Sequence, residues 1–131
     1  MEVKHLDHFN IRAPKAELEK VKQFYIDVLG FEEGFRPSSI SGPGQWLYAG
    51  SSAIVHLSED ESQTARKEKD FLDHIALRCE GVNEFAKKLD DLSIRYRPAY
   101  IREIDLTQLF FNDPAGVTLE LNFEGEKLLE K

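Results

Sequence analysis

Leu6-Asp7-His8-Phe9-Asn10-Ile11-Arg12-Ala13 and Leu72-Asp73-His74-Ile75-Ala76-Leu77-Arg78-Cys79 are two copies of one pattern, half a chain apart. Both read Leu-Asp-His, two residues, an apolar residue, arginine and a small residue. After each histidine, apolar and polar residues alternate with the period of a half-buried strand. Further echoes follow in the same order. Phe35-Arg36-Pro37 matches Tyr96-Arg97-Pro98, Gln45-Trp46-Leu47-Tyr48 matches Gln108-Leu109-Phe110-Phe111, and Val55-His56-Leu57 matches Leu119-Glu120-Leu121. A repeat this long makes a duplicated module the economical reading of the chain.

Each half carries the same elements. Residues 15–29 place Leu18, Val21, Phe24, Tyr25, Val28 and Leu29 at helical spacing, with Pro14 ahead and Gly30 behind. Residues 82–92 repeat that spacing with Val82, Phe85, Ala86, Leu89 and Leu92. Short strands are expected near 31–36, 46–49 and 53–57, and again near 95–103, 107–112 and 118–123. Asp113-Pro114-Ala115-Gly116 should turn between the last two. The expected fold is α+β, two βαβββ modules of about residues 3–58 and 71–124 within one domain, 1–131. The charged stretch 59–70 reads as a solvated connector.

The composition bounds the function. The chain has 131 residues, 41% of them hydrophobic and 31% charged, which is globular rather than disordered. Seventeen basic residues against 24 acidic ones give a formal charge of −7. That sign repels phosphate backbones and excludes general nucleic-acid binding. Cys79 is the one cysteine, so no intrachain disulfide calls for an oxidising compartment. No apolar run suits a signal segment or a membrane span, so a cytoplasmic protein with no membrane partner is expected.

Strand parity sorts the side chains. Phe9, Ile11, Val55, Leu57, Ile75, Leu77, Leu119, Leu121 and Phe123 should face the helices. His8, His56, His74 and Glu120 then lie on the opposite, helix-free faces, each half giving one residue from its first strand and one from its last. Three imidazoles and a carboxylate are a metal-ligand set, suited to zinc, nickel, manganese, cobalt or iron(II). His5 has the other parity and falls outside the repeat. Cys79 has core-facing parity and reads as a structural thiol. Asn10, Arg12 and Arg78 share the helix-free faces, where an arginine either holds a substrate carboxylate or phosphate or makes a surface ion pair. Gln108 is a weaker substrate-binding candidate. Trp46 and Tyr100 are weaker lining candidates too, since an aromatic on a strand is more often core than a substrate platform. The Gly-, Pro- and Ser-rich loop 37–45 is expected at the pocket mouth.

The stretches LDHFNIRA, FYIDVLGF (residues 24–31), DHIALRC and FFNDPAGVTLELNF (residues 110–123) together resemble the vicinal oxygen chelate superfamily, the glyoxalase, bleomycin-resistance and extradiol dioxygenase family. The resemblance spans nearly the whole chain. It implies a glyoxalase-like fold whose curled mixed sheets form a cup around a divalent metal, with ligands on the first and last strands of each module. Those positions are His8, His56, His74 and Glu120. It also implies a small-molecule substrate with two adjacent oxygens, and a homodimer.

Position 56 departs from the family pattern. Glyoxalase I typically has a glutamate there and methylmalonyl-CoA epimerase a glutamine, while extradiol dioxygenases and fosfomycin enzymes use only the other three ligands. The leading expectation is a metal-dependent lyase or isomerase that works by stabilising an enolate, with Glu120 as ligand and base and His56 as ligand or second proton-transfer group. One alternative is an Fe(II) ring-cleaving dioxygenase using His8, His74 and Glu120. The other is a non-catalytic small-molecule binding or resistance protein, against which the intact ligand set argues.

Overall fold

The structure, a computed structural model, describes residues 1–2, 4–65 and 71–131. They fall into two compact units, residues 1–66 and 67–131. In the first, β1 (Phe9–Ala13) leads through α1 (Lys15–Asp27) to β2 (Glu32–Gly34), β3 (Gly44–Ala49) and β4 (Ser52–Glu59). In the second, β5 (Ile75–Arg78) leads through α2 (Val82–Asp91) to β6 (Arg97–Ile101), β7 (Leu106–Asn112) and β8 (Thr118–Glu124). Each is the expected βαβββ module. Among the described residues, no helix is long and apolar enough to cross a membrane.

Each module forms an open four-stranded mixed sheet, β1-β4-β3-β2 and β5-β8-β7-β6. First and last strands pair in parallel, with Asn10 opposite His56 and Ala76 opposite Glu120. The remaining pairs are antiparallel. This pairing makes strand parity spatially meaningful, because opposed residues on neighbouring strands share a face.

The core follows the parity. Ile11, Val55 and Leu57 are buried with Leu18, Val21, Tyr25 and Val28 of the first helical segment. Tyr25 is fully buried, with ring contacts to Phe9, Phe24 and Phe31. In the second unit Ile75, Leu109, Leu119, Leu121 and Phe123 are buried with Val82, Ala86 and Leu89, and Phe85 packs on Phe111 of β7. Burying a side chain of this size contributes about 1.5–3 kcal/mol. These residues therefore hold each helix on its sheet and leave the opposite face open.

Local chemistry sets the element ends. Gly30 stops α1 at φ 73°, its N–H and that of Phe31 bonding back to Ile26 and Tyr25 carbonyls. Asp113 forms the predicted turn, its buried carboxylate accepting from Ala115 N and Val117 N, with Gly116 at φ 85°.

The hydrogen-bonded register corrects three details. Trp46 pairs with His56 and Phe110 with Glu120, so Trp46 corresponds to Phe110 and the Gln45/Gln108 match is one residue out of phase. Gly34 pairs with Trp46 and Arg97 with Phe110, so the Arg36/Arg97 match is out by two. Two is an even shift, so both arginines keep the same parity. The strand expected over 95–103 ends at Ile101, where a 3₁₀ turn over Arg102–Ile104 leads to Asp105 in the left-handed region. Of the expected connector, residue 59 closes β4, and residues 66–70 lie outside the described residues.

Candidate functional site

The two Asp-His dipeptides sit just before β1 and β5, where the chain enters each sheet edge. His8 Nδ1 donates to Asp7 Oδ1 at 2.7 Å, and His74 Nδ1 donates to Asp73 Oδ2 at 2.8 Å. A carboxylate on Nδ1 fixes the tautomer and leaves Nε2 as the forward nitrogen. The His8 bond also holds the Asp7 carboxyl below its ordinary range. The sequence showed the dipeptide twice, but only the geometry gives the aspartates a role.

In the first unit His8 meets His56 by stacking. Their ring centroids lie 3.7 Å apart with planes 13° from parallel. Trp46 covers the other face of His56 at 4.0 Å and 10°. His56 is buried, and its Nε2 donates to the Ala53 carbonyl at 3.0 Å, leaving Nδ1 as its lone-pair nitrogen. Burial, then the neighbouring charge on His8, pushes His56 below the usual imidazole range; the nearby Arg36 guanidinium adds to the depression. His8, His56, Trp46 and Ile40 of the 37–45 loop line an open cleft of about 660 Å³.

In the second unit His74 meets Glu120 directly, Nε2 to Oε2 at 2.8 Å. Glu120 is buried, and its other oxygen accepts from Gln108 Nε2, which also donates to Asn122 Oδ1 at 3.1 Å. The Phe110 ring stands edge-on to His74. His74, Glu120 and Gln108 line a second open cleft of about 680 Å³.

The other candidates divide. Asn10 lies beside His56 in register and donates to Ser58 Oγ at 2.9 Å. Arg12 lies 3.8 Å from Asp60, and Arg78 pairs with Glu124, so both exposed arginines sit in surface ion pairs. Cys79 is half-buried, and burial pushes its thiol up. Trp46 is half-buried against His56 rather than in the core, and Tyr100 is exposed and donates to Asp105. Among the described residues, no three His, Cys, Asp or Glu side chains group as a ready metal site; the donors come in pairs.

The sequence profile of the Glyoxalase/Bleomycin resistance protein/Dioxygenase superfamily matches residues 5–121. The chain belongs to this superfamily. It is 35% identical over 111 residues to glyoxylase I 4 of Arabidopsis thaliana, a match that covers 79% of this chain and 63% of that protein. The chain thus spans less than two-thirds of that superfamily member's length. A glyoxalase family protein from Bacillus anthracis superposes with a TM-score of 0.74 at 22% identity, over 95% of this chain and 98% of that one. Lactoylglutathione lyase from Agrobacterium tumefaciens superposes with a TM-score of 0.67 at 16% identity, over 94% and 96%. These two superpositions show the superfamily fold.

Proposed function

We propose that the protein is a divalent-metal-dependent lyase or isomerase of glyoxalase type, acting on a small substrate with adjacent oxygens. The observation that carries the reading is the His74–Glu120 pair. The buried carboxylate of Glu120 and Nε2 of His74 converge to 2.8 Å, the two donor types that a divalent ion would take. Asp73 and Gln108 hold their outer atoms, so the inner two are already aimed. His8, held the same way by Asp7, offers a third donor. Two imidazoles and a carboxylate fit zinc, nickel, manganese, cobalt or iron(II). Among the described residues the donors come together only in pairs, fewer than a metal centre takes from protein. We propose His8, His74 and Glu120 as the ligands of the ion, and a homodimer as the assembly.

When bound, the ion polarises a substrate oxygen and stabilises negative charge that develops there. The chain's own groups handle the proton. Glu120 removes it from the carbon beside the carbonyl and returns it to the neighbouring carbon. Gln108 holds Oε1 of Glu120, so Oε2 would leave the ion as substrate binds and serve as the base. Gln108 lines the His74–Glu120 cleft, and its amide and that of Asn10 are our proposed partners for substrate hydroxyls. The 35% identity to glyoxylase I 4 supports this class of reaction.

The test is Glu120→Gln, assayed on the hemithioacetal of methylglyoxal and glutathione with zinc, nickel or manganese supplied. Turnover should fall by at least about 10²-fold, the scale of a lost general base. Near-normal activity and metal content in the variant would overturn the role. One observation favours a second reading. The Nε2 of His56 is engaged by Ala53, so the donor set is His8, His74 and Glu120, and the same two-histidine, one-carboxylate set suits an iron(II) dioxygenase. Oxygen uptake with catechol in the iron-loaded protein selects that reading over the first.

A further inference from the structure

We propose that His56 is a positioning residue for His8, a flat clamp that fixes the plane of its ring, and not itself a metal ligand. The inference rests on the metal reading of His8 above and is carried by the ring geometry. A metal ion bound through an imidazole nitrogen lies in the plane of that ring, about 2.0–2.1 Å from the nitrogen for zinc. The rings of His8 and His56 are stacked 3.7 Å apart and 13° from parallel. Planes so nearly parallel do not meet near the rings, so no point close to both satisfies both nitrogens.

His56 is also held where it is. Trp46 covers its second face at 4.0 Å, Nε2 is spent on the Ala53 carbonyl, and β4 pins its backbone between Asn10 and Trp46. Turning a nitrogen toward an ion beside His8 would break the hydrogen bond and both stacks at once.

His8 needs such a clamp. It precedes β1, its side chain is 40% exposed, and its other fastening is to Asp7, itself 81% exposed. An exposed imidazole loses rotamer freedom when it ligates, and a stack that already restrains the ring reduces that cost. The second unit solves the same problem differently. His74, similarly exposed, is held by Glu120, which stands at the position equivalent to His56. Position 56 thus supports a ligand where position 120 supplies one.

The experiment compares His56→Phe, His56→Ala and His8→Ala in the full chain. Cobalt(II) binding is followed by calorimetry and by the ligand-field absorption of the bound ion, and Trp46 emission is recorded without metal. Phenylalanine keeps a flat ring between Trp46 and His8 but has no nitrogen. His56→Phe should bind cobalt within about threefold of the unsubstituted protein, with an unchanged absorption band. His56→Ala should bind about 10–100-fold more weakly, the scale for residues that orient a ligand, with the same band at saturation and altered Trp46 emission. His8→Ala should lose more affinity than either and shift the band. If His56→Phe behaves like His8→Ala, with lost affinity and a shifted band, His56 is a ligand and the inference falls. If both His56 variants bind like the unsubstituted protein, it is not a clamp and the inference also falls. If His8→Ala leaves cobalt binding untouched, it is the metal reading of His8 that fails, and the clamp falls with it.

Discussion

Asp73 shows what a single side chain adds around a ligand and how little of that a sequence displays. Its carboxylate accepts a hydrogen bond from Nδ1 of His74 while staying largely in solvent, so its removal costs the fold little and the ligand much. Asp73→Asn should weaken zinc binding about 10–100-fold, measured by calorimetry, with the thermal midpoint of the metal-free protein nearly unchanged. Equal affinity in the two proteins would remove the aspartate from the site. The histidines and Glu120 were legible because parity and repetition select them. The aspartates were written in the same motif, but adjacent residues point to opposite faces of an ideal strand. Only the irregular backbone before β5 lets Asp73 reach back to its neighbour. Arg12 and Arg78 illustrate the converse. Their parity is right, yet Asp60 and Glu124 lie far along the chain, and no local pattern announces those pairings. Cys79 gives a pH-dependent check. Burial raises its thiol above the usual range, so the thiolate forms later in the folded protein than in the unfolded one. Stability drawn from the neutral thiol is complete below the usual thiol range and is lost as pH rises through the folded value. The rate of iodoacetamide alkylation should therefore climb at higher pH in the native protein than in urea. Coincident profiles would show an unperturbed thiol.

The two helices reached their boundaries by different routes, and that difference decides which was readable. Gly30 is a local stop. Its φ of 73° suits glycine, and a β-carbon there would meet nothing within 4 Å, so Gly30→Ala isolates the backbone strain. It should cost about 1–2 kcal/mol in urea unfolding, with no change in metal binding. The start of α2 is not local. Glu126 comes from 45 residues further on to accept from Gly81 N, and it accepts from Val82 N as well, at 2.9–3.0 Å. Those are orphan donors of the first turn, at the positive end of the helix. Glu126→Ala should cost about 1 kcal/mol, the scale of a lost cap, and should make the amides of residues 81–85 exchange faster with solvent than those of residues 88–91. Uniform exchange along α2 would mean that the carboxylate is not its cap. A sequence window around α2 contains no trace of Glu126, just as a letter-by-letter match of Gln45 to Gln108 hides the true register. Both depend on which strands pair and in what phase. The helical spacing, the Asp113 turn and the alternation of β1 and β5 are properties of short windows, and those were read correctly.

At the scale of the whole chain, the question is how binding at a pair of donors in one unit is felt by the other. A ligand that binds only the folded state stabilises it by mass action, by about 2.7 kcal/mol at a hundredfold excess over its dissociation constant. With unfolding entropy near 2.1 cal/mol/K per residue, a 131-residue chain that unfolds as one unit should gain about 10 °C in thermal midpoint. A chelator should reverse the gain. Glu120→Gln and His74→Ala each perturb the His74–Glu120 pair of the second unit, so the metal-induced increment, rather than the starting midpoint, is the quantity to compare. The decisive comparison is His8→Ala against His74→Ala. If His8, His74 and Glu120 all ligate the ion, either substitution should remove most of the increment, because two remaining donors do not suffice as a centre. If the second unit alone held the ion, His8→Ala would melt with the full increment while His74→Ala would show none. The scan also reads cooperativity. Two units that unfold separately without metal and together with it would give two transitions merging into one. A single transition under both conditions, with no metal-dependent shift, would leave the donor pairs as structural contacts and remove the metal from the proposed function.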